Sequence, residues 1–297
     1  MKNKGKQERN LSENRGLAFE SVIQELRKEN LVQLFTPTVI DFSLYEKYVH
    51  VAHQNQIVKL SAPNGIVKAL RYDSTISMIA SNQVHSDDKF FYIEPQFAYD
   101  FDNLKIMETT QLGVEFIEGQ SDHISSFEKC ILLAKSLADL LCTGEYQIEV
   151  SHTDLVDTLT RDIELDLKST NDLKHYISRK NERKVLDVLE KNQVDPLIQN
   201  RLLELSRIRA SVTELTSNEN SFDFPNEINE WLSKMMTLNL NINQPLVIDF
   251  TSSYRLTYYK GNVFKVYDMT SHKEIISGGE YCFKAYGVRG CGFSIKL

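Results

Sequence analysis

Short runs of alternating hydrophobic and polar residues occupy much of the first half of the chain, and this two-residue period predicts β-strands. Pro37 interrupts the first run, which places that strand at a sheet edge or a bulge, because proline cannot donate a ladder hydrogen bond. The turn residues 63–65 (Pro-Asn-Gly) predict a hairpin between the runs that flank them. The runs cover residues 31–40, 57–60, 67–71, 90–97, 112–117 and 147–150.

Apolar residues at a helical spacing predict helices over residues 17–26 and 122–141. From residue 152 to about 238 the period is helical throughout, and no strand is predicted before Pro245. This stretch contains the only tryptophan of the chain, Trp231. Strand-like runs then return at residues 246–250, 254–259, 263–267, 274–276 and 292–295.

Short strands joined by turn-length gaps predict an antiparallel sheet rather than βαβ units. The predicted fold class is therefore α+β, with one antiparallel sheet, packing helices and a helical insertion at about 152–238. Residues 1–12 are polar and without periodicity, which predicts a flexible tail. Residues 13–297 are then expected to form a single domain.

Charge and composition exclude several classes of function. The chain has 34 basic and 41 acidic residues, a formal net charge of −7, which disfavours binding to nucleic acid. No apolar run approaches the ~18 residues of a membrane-spanning helix, and the charged N-terminus does not resemble a secretory signal. Four cysteines without a C-x-x-C pair predict reduced thiols in a cytoplasmic protein. No metal site and no cofactor are predicted.

Familiar catalytic motifs are absent, but polar groups interrupt four strand-like segments, at residues 71–75, 108–115, 255–261 and 277–281. Taken singly, each segment is typical of a strand end or a turn. Taken together, they supply groups that suit a small zwitterion, since carboxylates bind an ammonium and other donors bind a carboxylate or an imidazole. These groups are Asp73, Glu115, Gln111, Tyr258, Tyr259 and the close-approach glycines Gly278 and Gly279.

The order and spacing of these segments resemble the catalytic core of class II histidyl-tRNA synthetases. They resemble more closely its non-catalytic paralogue, the regulatory subunit of ATP phosphoribosyltransferase. Residues 35–40 are similar to the first class II motif, which builds the dimer interface in that family. The other similar segments are Leu-Arg-Tyr-Asp-Ser-Thr at 70–75, Gln-Leu-Gly-Val-Glu at 111–115, Tyr-Tyr-Lys-Gly-Asn-Val-Phe at 258–264, and Ser-Gly-Gly-Glu-Tyr at 277–281 followed by Gly-Cys-Gly-Phe at 290–293.

The chain departs from the synthetases at the arginines that bind ATP. The resemblance places these arginines at Ala98, near Met107, at Tyr254 and just beyond Leu297. Because phosphate recognition depends on such cations, their loss predicts that no adenylate forms. An anticodon-binding domain is also not found, so an active synthetase is not expected.

In the synthetases, one part of the active-site pocket binds ATP and another binds the amino acid. The resemblance implies that this chain retains the part that binds the amino acid. The resemblance implies that histidine contacts Asp73, Thr75, Gln111, Glu115, Tyr258 and Tyr259. Asp73 and Glu115 would face the ammonium group. A purely structural role is the alternative for each: Thr75 and Gln111 could satisfy backbone groups, and the tyrosines could be packing.

The function that the resemblance implies is regulatory. The chain would activate the short-form catalytic subunit of ATP phosphoribosyltransferase, in the first step of histidine biosynthesis, and transmit feedback inhibition by histidine. The implied assembly is a hetero-octamer of four regulatory and four catalytic chains, built on regulatory homodimers that pair through the first class II motif.

Two alternatives remain open on the sequence. One is a truncated synthetase-like ligase that activates an amino acid, with Arg71, Arg255 or Arg289 replacing the missing arginines. The other is a free-standing amino-acid sensor. The sequence also leaves open whether histidine binds in the pocket or at a subunit interface, which surface meets the catalytic chain, and what the insertion does.

Overall fold

Nine strands of the described residues form one large sheet on which the fold is built. A computed structural model of the protein describes residues 19–49, 51–81, 84–118, 125–161, 163–217, 224–251 and 258–296. The strand order is β1-β5-β6-β12-β11-β10-β7-β9-β8. The strands are β1 (Val32–Gln33), β5 (Lys89–Asp100), β6 (Lys105–Ile117), β7 (Tyr146–His152), β8 (Arg209–Ser211), β9 (Leu246–Asp249), β10 (Tyr259–Asp268), β11 (Lys273–Phe283) and β12 (Val288–Lys296).

The predicted α+β class is confirmed, but the sheet is mixed rather than wholly antiparallel. The centre, from β5 to β7, is antiparallel. Towards the two edges, β1 pairs in parallel with β5 and β9 pairs in parallel with β7. Each parallel pair is joined by a long connection that contains helices, as parallel pairing requires.

The predicted strand over 31–40 is wrong in its continuity, because it divides into two short strands that belong to different sheets. After β1 the chain leaves the large sheet, and it then forms β2 (Val39–Asp41) in a small sheet of order β2-β4-β3. Between the two strands, the backbone of Thr36 donates to Glu94 Oε1 at 2.5 Å and its carbonyl accepts from Arg71 at 2.5 Å. Buried side chains, rather than a neighbouring strand, therefore satisfy the segment around Pro37.

The predicted hairpin is confirmed. Strands β3 (Lys59–Ser61) and β4 (Val67–Leu70) pair antiparallel around the turn, where Gly65 has φ +77°. A second, much longer hairpin joins β5 to β6, with continuous pairing from Lys89↔Phe116 to Asp100↔Lys105. This long hairpin forms one wall of a cavity over the large sheet.

Helices cover one face of the large sheet and flank the small one. A helix over residues 19–28 (α1) and helix α4 (Ser126–Leu141) pack on the main core, and Ser125 Oγ caps α4 by accepting from the Glu128 amide. The first predicted residues of α4, 122–124, lie outside the described part of the chain, as does the predicted tail at 1–12. Helices α2 (Phe42–Tyr48) and α3 (Ser74–Ala80) pack beside the small sheet.

The segment predicted as a helical insertion is mostly helical, but it contains a short strand, β8, which pairs with β9 beyond the end of the segment. Helices α6 to α8 share a hydrophobic cluster of their own, which includes Leu173, Leu189 and Leu202. In contrast, α9 and α10 pack against the main core, where Trp231 and Leu232 are buried. The helices are α5 (Leu155–Thr160), α6 (Leu167–Ser178), α7 (Glu182–Lys191), α8 (Pro196–Ser206), α9 (Val212–Thr216) and α10 (Asn226–Ile242).

All four cysteines are free thiols in this structure, and Cys130 and Cys291 are fully buried. Across the described ranges, no helix has both the length and the apolar character needed to span a bilayer.

Candidate functional site

A cavity of about 590 Å³ lies over the centre of the large sheet. Successive residues of a strand point to opposite faces, so the two faces differ in chemistry. Val114 and Phe264 belong to the core beneath α4, whereas their neighbours Glu115 and Lys265 line the cavity. Helix α3 and the long β5–β6 hairpin supply further walls, and the cavity is the candidate binding site.

Glu115 is the most buried charged residue of this cavity, with 1% of its surface exposed. Its Oε1 accepts a hydrogen bond of 2.6 Å from Thr75 Oγ1. Its Oε2 makes no hydrogen bond of good geometry with a described residue, and neither does the Tyr281 hydroxyl, although the two groups lie close enough for Tyr281 to affect the ionisation of Glu115. Gly292 faces the same carboxylate, and a Cβ at that position would collide with Glu115 Oε2. An unpartnered buried carboxylate oxygen costs free energy unless a donor from a ligand completes it.

Asp73 lies at the start of α3, where its Oδ1 caps the helix by accepting from the Ile76 amide at 2.7 Å. Its Oδ2 accepts a hydrogen bond of 3.0 Å from the Tyr258 hydroxyl. The Tyr258 ring is buried and packs against Tyr259, with ring centroids 5.0 Å apart. The cap role of Asp73 and the packing of Tyr258 are structural, and both residues still line the cavity.

Burial shifts the ionisation of the two carboxyls in the same direction. Burial raises the pKa of Glu115 to about 8; the hydrogen bond from Thr75 and the nearby Tyr281 hydroxyl oppose this rise, and the charge of Asp73 adds to it. Burial also raises the pKa of Asp73 to about 6, against the hydrogen bonds from Ile76 and Tyr258. Two buried carboxyls that resist ionisation favour a cationic ligand, because a bound positive charge stabilises their charged forms.

The structure brings six of the eight predicted site residues into this one cavity. They are Asp73, Thr75, Gln111, Glu115, Tyr258 and Tyr259. Whether they bind histidine stays a prediction.

The prediction that Gly278 and Gly279 are pocket glycines is corrected by the structure, because neither is among the residues that line the cavity. A Cβ on Gly278 would strike the Gly292 carbonyl of the adjacent strand. A Cβ on Gly279 would lie 2.6 Å from Val263 Cγ1. Both glycines therefore allow neighbouring strands to pack closely, and Gly292 is the described glycine that lines the cavity.

The positions where the resemblance expects ATP-binding arginines carry uncharged side chains. Ala98 and Met107 are direct cross-strand partners in the β5–β6 hairpin, and both line the cavity. Tyr254 and Arg255 lie outside the described residues.

Neither of the two other candidate arginines lines this cavity. Arg71 is 2% exposed, and its guanidinium lies 3.5 Å from Glu94 and donates to the carbonyls of Thr36 and Pro95. These contacts of the Arg71 guanidinium hold the segment between β1 and β2, so the guanidinium does not face the cavity. Arg289 is exposed on β12 and is not among the described residues that line the cavity.

Several cavity residues were not predicted as site residues from the sequence. Tyr281 ends the Ser-Gly-Gly-Glu-Tyr segment at 277–281, and the sequence does not signal that it lines the cavity. Tyr92 packs over Gly113 on the adjacent strand, a cross-strand contact that a single sequence does not signal. Lys265, Ser277 and Ser294 lie on one row across three strands, and only the register reveals that they are neighbours.

The cavity is acidic at the Glu115 end, and Lys265 is the one lysine or arginine among its described lining residues. Lys265 Nζ lies 3.5 Å from Glu274 Oε2. Such a surface suits an ammonium or imidazolium group and is poorly suited to a triphosphate. In the described part of the chain, no group of three or more His, Cys, Asp or Glu residues is arranged to hold a metal ion.

Comparison with known proteins gives a consistent result. The model of the histidyl-tRNA synthetase family matches residues 33–297. The chain is 27% identical over 274 residues to an ATP phosphoribosyltransferase regulatory subunit of Streptococcus thermophilus, covering 88% of this chain and 81% of that protein. It is 26% identical over 286 residues to the protein of the same name from Streptococcus gordonii, covering 92% and 84%.

Solved structures share the fold. One is an ATP phosphoribosyltransferase regulatory subunit/histidyl-tRNA synthetase from Bacillus halodurans, with a TM-score of 0.80 and 18% identity, covering 96% of this chain and 77% of that one. Another is the ATP phosphoribosyl transferase (HisG:HisZ) complex from Thermotoga maritima, with a TM-score of 0.71 and 20% identity, covering 94% and 96%.

Proposed function

The chain belongs to the histidyl-tRNA synthetase family, and from this premise we propose that it is a non-catalytic regulatory subunit of short-form ATP phosphoribosyltransferase. In this role it activates the catalytic subunit in the first step of histidine biosynthesis and transmits inhibition by histidine. Histidine binds in the cavity over the sheet, and its cationic group lies against Glu115 and Asp73.

One observation carries the proposal: the cavity combines an acidic amino-acid end with uncharged residues at the positions expected to bind ATP. Glu115 Oε2 and the Tyr281 hydroxyl are buried and unpartnered among the described residues, as in a site completed by a ligand. Ala98 and Met107 leave the charge of a triphosphate uncompensated. Binding without adenylate formation is the behaviour of a sensor rather than of a ligase.

The partner is proposed from the relatives. The two streptococcal proteins are named as regulatory subunits, and the Thermotoga structure is a complex with a second protein. We extend this to a hetero-octamer of four regulatory and four catalytic chains in the cytoplasm.

The regulatory homodimer would pair through residues 35–40. The side chains of Phe35 and Val39 are 75% and 45% exposed there, as expected for an apolar contact surface. Regulation requires that histidine binds one arrangement of the complex more tightly, and a coupling of ~1–3 kcal/mol gives roughly 5- to 150-fold effects.

The decisive experiment measures turnover by the short catalytic subunit from the same organism, with and without this protein, across a histidine titration. We expect turnover to rise when both chains are present and to fall as histidine is added. Turnover that is the same with and without this protein would refute the proposed role.

Pyrophosphate exchange with ATP and histidine separates the ligase alternative from the regulatory one. We expect no exchange above the rate without protein, and a catalytically active histidyl-tRNA synthetase serves as the positive control. Exchange that depends on this chain would show that it activates histidine itself.

A further inference from the structure

A bulge in β10 lies beside the cavity, and the proposed contacts with Glu115 and Asp73 do not account for it. Tyr259 pairs with Tyr281 on β11, and Val263 pairs with Gly279. The three residues 260–262 of β10 therefore stand opposite a single residue of β11, Glu280. Bulges are common beside functional sites, where they redirect a side chain.

The bulge sets the position of Tyr259. Without the two extra residues, the register at Val263 would continue and would place Tyr259 opposite Phe283. With them, Tyr259 stands opposite Tyr281, about 7 Å nearer along the strands to the row that contains Glu115. Tyr259 lines the cavity. The bulge is therefore what brings this ring to the cavity.

Hydrogen bonds from three neighbouring segments hold the bulge in place. The Asn262 amide donates to Glu280 Oε2 at 2.5 Å. The Gly261 amide donates to Thr153 Oγ1 at 3.0 Å, and the Gly261 carbonyl accepts from the Thr153 amide at 2.9 Å. On the third side, the indole N–H of Trp231 donates to Asn262 Oδ1 at 2.7 Å. The shape of the bulge thus depends on these three partners.

Gly261 is required by this arrangement. Its φ is +112°, which residues with a side chain rarely adopt, and a Cβ there would lie 2.3 Å from Glu280 Oε2. Glu280 is half-buried, and burial raises the pKa of its carboxyl while the hydrogen bonds with Asn262 oppose this rise. The carboxylate therefore holds a backbone shape that the strand ladder alone would not produce.

The bulge joins the two faces of the sheet. Tyr259 is on the cavity face, whereas Asn262 lies two residues before Phe264, a residue of the main core, and so points to the helix face. Trp231 lies on α10 in that core and is not among the residues that line the cavity. One hydrogen bond therefore connects the strand segment that positions Tyr259 to a helix on the far side of the sheet.

We propose that the bulge at 260–262 positions Tyr259 for the ligand and couples occupation of the cavity to Trp231 on α10. This inference rests on the proposed binding of histidine in the cavity, and it adds the route by which binding is communicated through the sheet. Glu280, Asn262 and Trp231 are positioning residues in this scheme. Because coupling is reciprocal, a ligand that changes the bond between Trp231 and Asn262 must bind with a different affinity when that bond is lost.

Trp231 is the only tryptophan of the chain, so its fluorescence reports on the bulge. We expect L-histidine to change the Trp231 emission of the full chain, with a midpoint at the Kd that calorimetric titration gives. Asn262→Ala removes the acceptor of the indole N–H. The emission change should then fall to less than about half, and histidine binding should weaken about 3- to 10-fold.

Asn239→Ala is the matched control for Asn262→Ala. Asn239 lies on the same helix as Trp231 and is half-buried like Asn262, and its Oδ1 accepts from the Leu246 amide at 2.8 Å. Because this bond does not involve the bulge, the control should keep the wild-type emission change and the wild-type affinity for histidine.

A pair of substitutions at Glu280 tests the other anchor of the bulge. Glu280→Ala removes the acceptor of the Asn262 amide, so histidine affinity should fall about 3- to 10-fold. Glu280→Gln keeps an oxygen at that place and should restore most of the affinity. Wild-type affinity in Glu280→Ala would contradict the positioning role.

Two further results would overturn the coupling and leave the proposed function standing: histidine binding without a change in Trp231 emission, or wild-type emission change and affinity in Asn262→Ala. A wild-type chain that does not bind histidine in the calorimeter would refute histidine binding itself, and the coupling with it. Circular dichroism and the melting temperature of each variant establish that the comparison is made on folded protein.

Discussion

At the scale of single residues, Glu115 links the stability of the fold to its ligand chemistry. Its carboxylate is buried beside a second carboxyl, and one oxygen has no partner among the described residues. A group held this way lowers the stability of the empty protein when it ionises and binds a cation strongly when one arrives. Buried ionisable groups that destabilise the empty protein in this way are concentrated at functional sites.

Glu115→Gln should change how stability depends on pH. The pKa of Glu115 is about 8 in the fold against an ordinary 4.5, so between these values the folded state holds a proton that the unfolded state releases. This stabilising contribution is complete below pH 4.5 and is lost as pH rises through 8, at up to about 1.4 kcal/mol per pH unit.

Urea unfolding of both proteins at pH 5, 6.5 and 8 measures the effect. The free energy of unfolding of Glu115→Gln should lack this decline with pH. The difference in free energy of unfolding between the variant and the wild type should therefore shift in favour of the variant towards pH 8. Glu108→Gln, an exposed change on the same strand, should keep the wild-type slope. Equal slopes for the wild type and Glu115→Gln would contradict the assignment.

Thr75→Val should show how much the hydrogen bond from Thr75 contributes, because the volume of the side chain hardly changes. The substitution removes the donor 2.6 Å from Glu115 Oε1 with little change in volume. We expect a loss of about 1–3 kcal/mol in the free energy of unfolding at pH 8, where Glu115 ionises, and weaker histidine binding.

Thr109→Val is the matched control, because Thr109 lines the same cavity and lies on β6 beyond Gln111. Its stability at pH 8 should stay within about 0.5 kcal/mol of the wild type. Similar losses for the two threonines would show that the Thr75–Glu115 bond has no special role.

At the scale of secondary structure, the chain between β1 and β2 shows how buried side chains can replace a strand neighbour. Glu94 accepts from the amide of Thr36 and Arg71 donates to its carbonyl, three residues after β1 has ended at Gln33. The segment around Thr36 lies outside the large sheet, and Phe35 and Val39 in it are exposed to solvent. The proposed dimer surface is thus a consequence of where two buried ionic side chains lie.

Phe35→Asp should weaken self-association of the chain without unfolding it. A charge replaces a 75% exposed aromatic ring, so the cost falls on the dimer rather than on the core. We expect the dimer dissociation constant to rise at least tenfold, measured by size-exclusion chromatography with light scattering over a range of concentrations. Phe101→Asp changes a 51% exposed ring at the tip of the β5–β6 hairpin and should leave the dimer intact. Equal behaviour of the two variants would contradict pairing through residues 35–40.

At the scale of the whole molecule, the buried hydrophobic residues form separate clusters. The main core lies between the large sheet and α4, α9 and α10, while α6, α7 and α8 pack around Leu173, Val185 and Leu189. Lys180, in the turn between α6 and α7, reaches Asp249 on β9 at 3.1 Å. The helical segment therefore has its own hydrophobic interior and a polar contact with the sheet.

Leu189→Ala should loosen this segment selectively. Removing a fully buried leucine costs about 2–5 kcal/mol, and here the loss falls on the cluster of α6 to α8. Hydrogen exchange followed by mass spectrometry should show faster exchange in residues 167–206 and unchanged exchange in β5 and β6. Leu137→Ala, which removes an equally buried leucine from the main core, should accelerate exchange across the large sheet. Faster exchange throughout the chain in both variants would mean that the two clusters unfold together.

Several elements carry local signals that predict them from the amino-acid sequence alone. The hairpin at 63–65, the strands around Glu115 and Lys265, and the change to a helical period after residue 152 follow from turn chemistry and local periodicity. Six of the eight predicted site residues lie in one cavity, and they were identified because the order and spacing of their short motifs resemble a known family.

Features that depend on pairing between distant segments become visible in the folded molecule and not in the linear sequence. The split of the first strand needed Glu94 and Arg71, which lie 58 and 35 residues from Thr36. The row from Lys265 to Ser294, the role of Gly292 beneath Glu115 and the packing role of Gly278 all follow from strand register. Local sequence fixes which face a side chain occupies, but the order of strands fixes its neighbours. The chemistry of this cavity is a property of those neighbours.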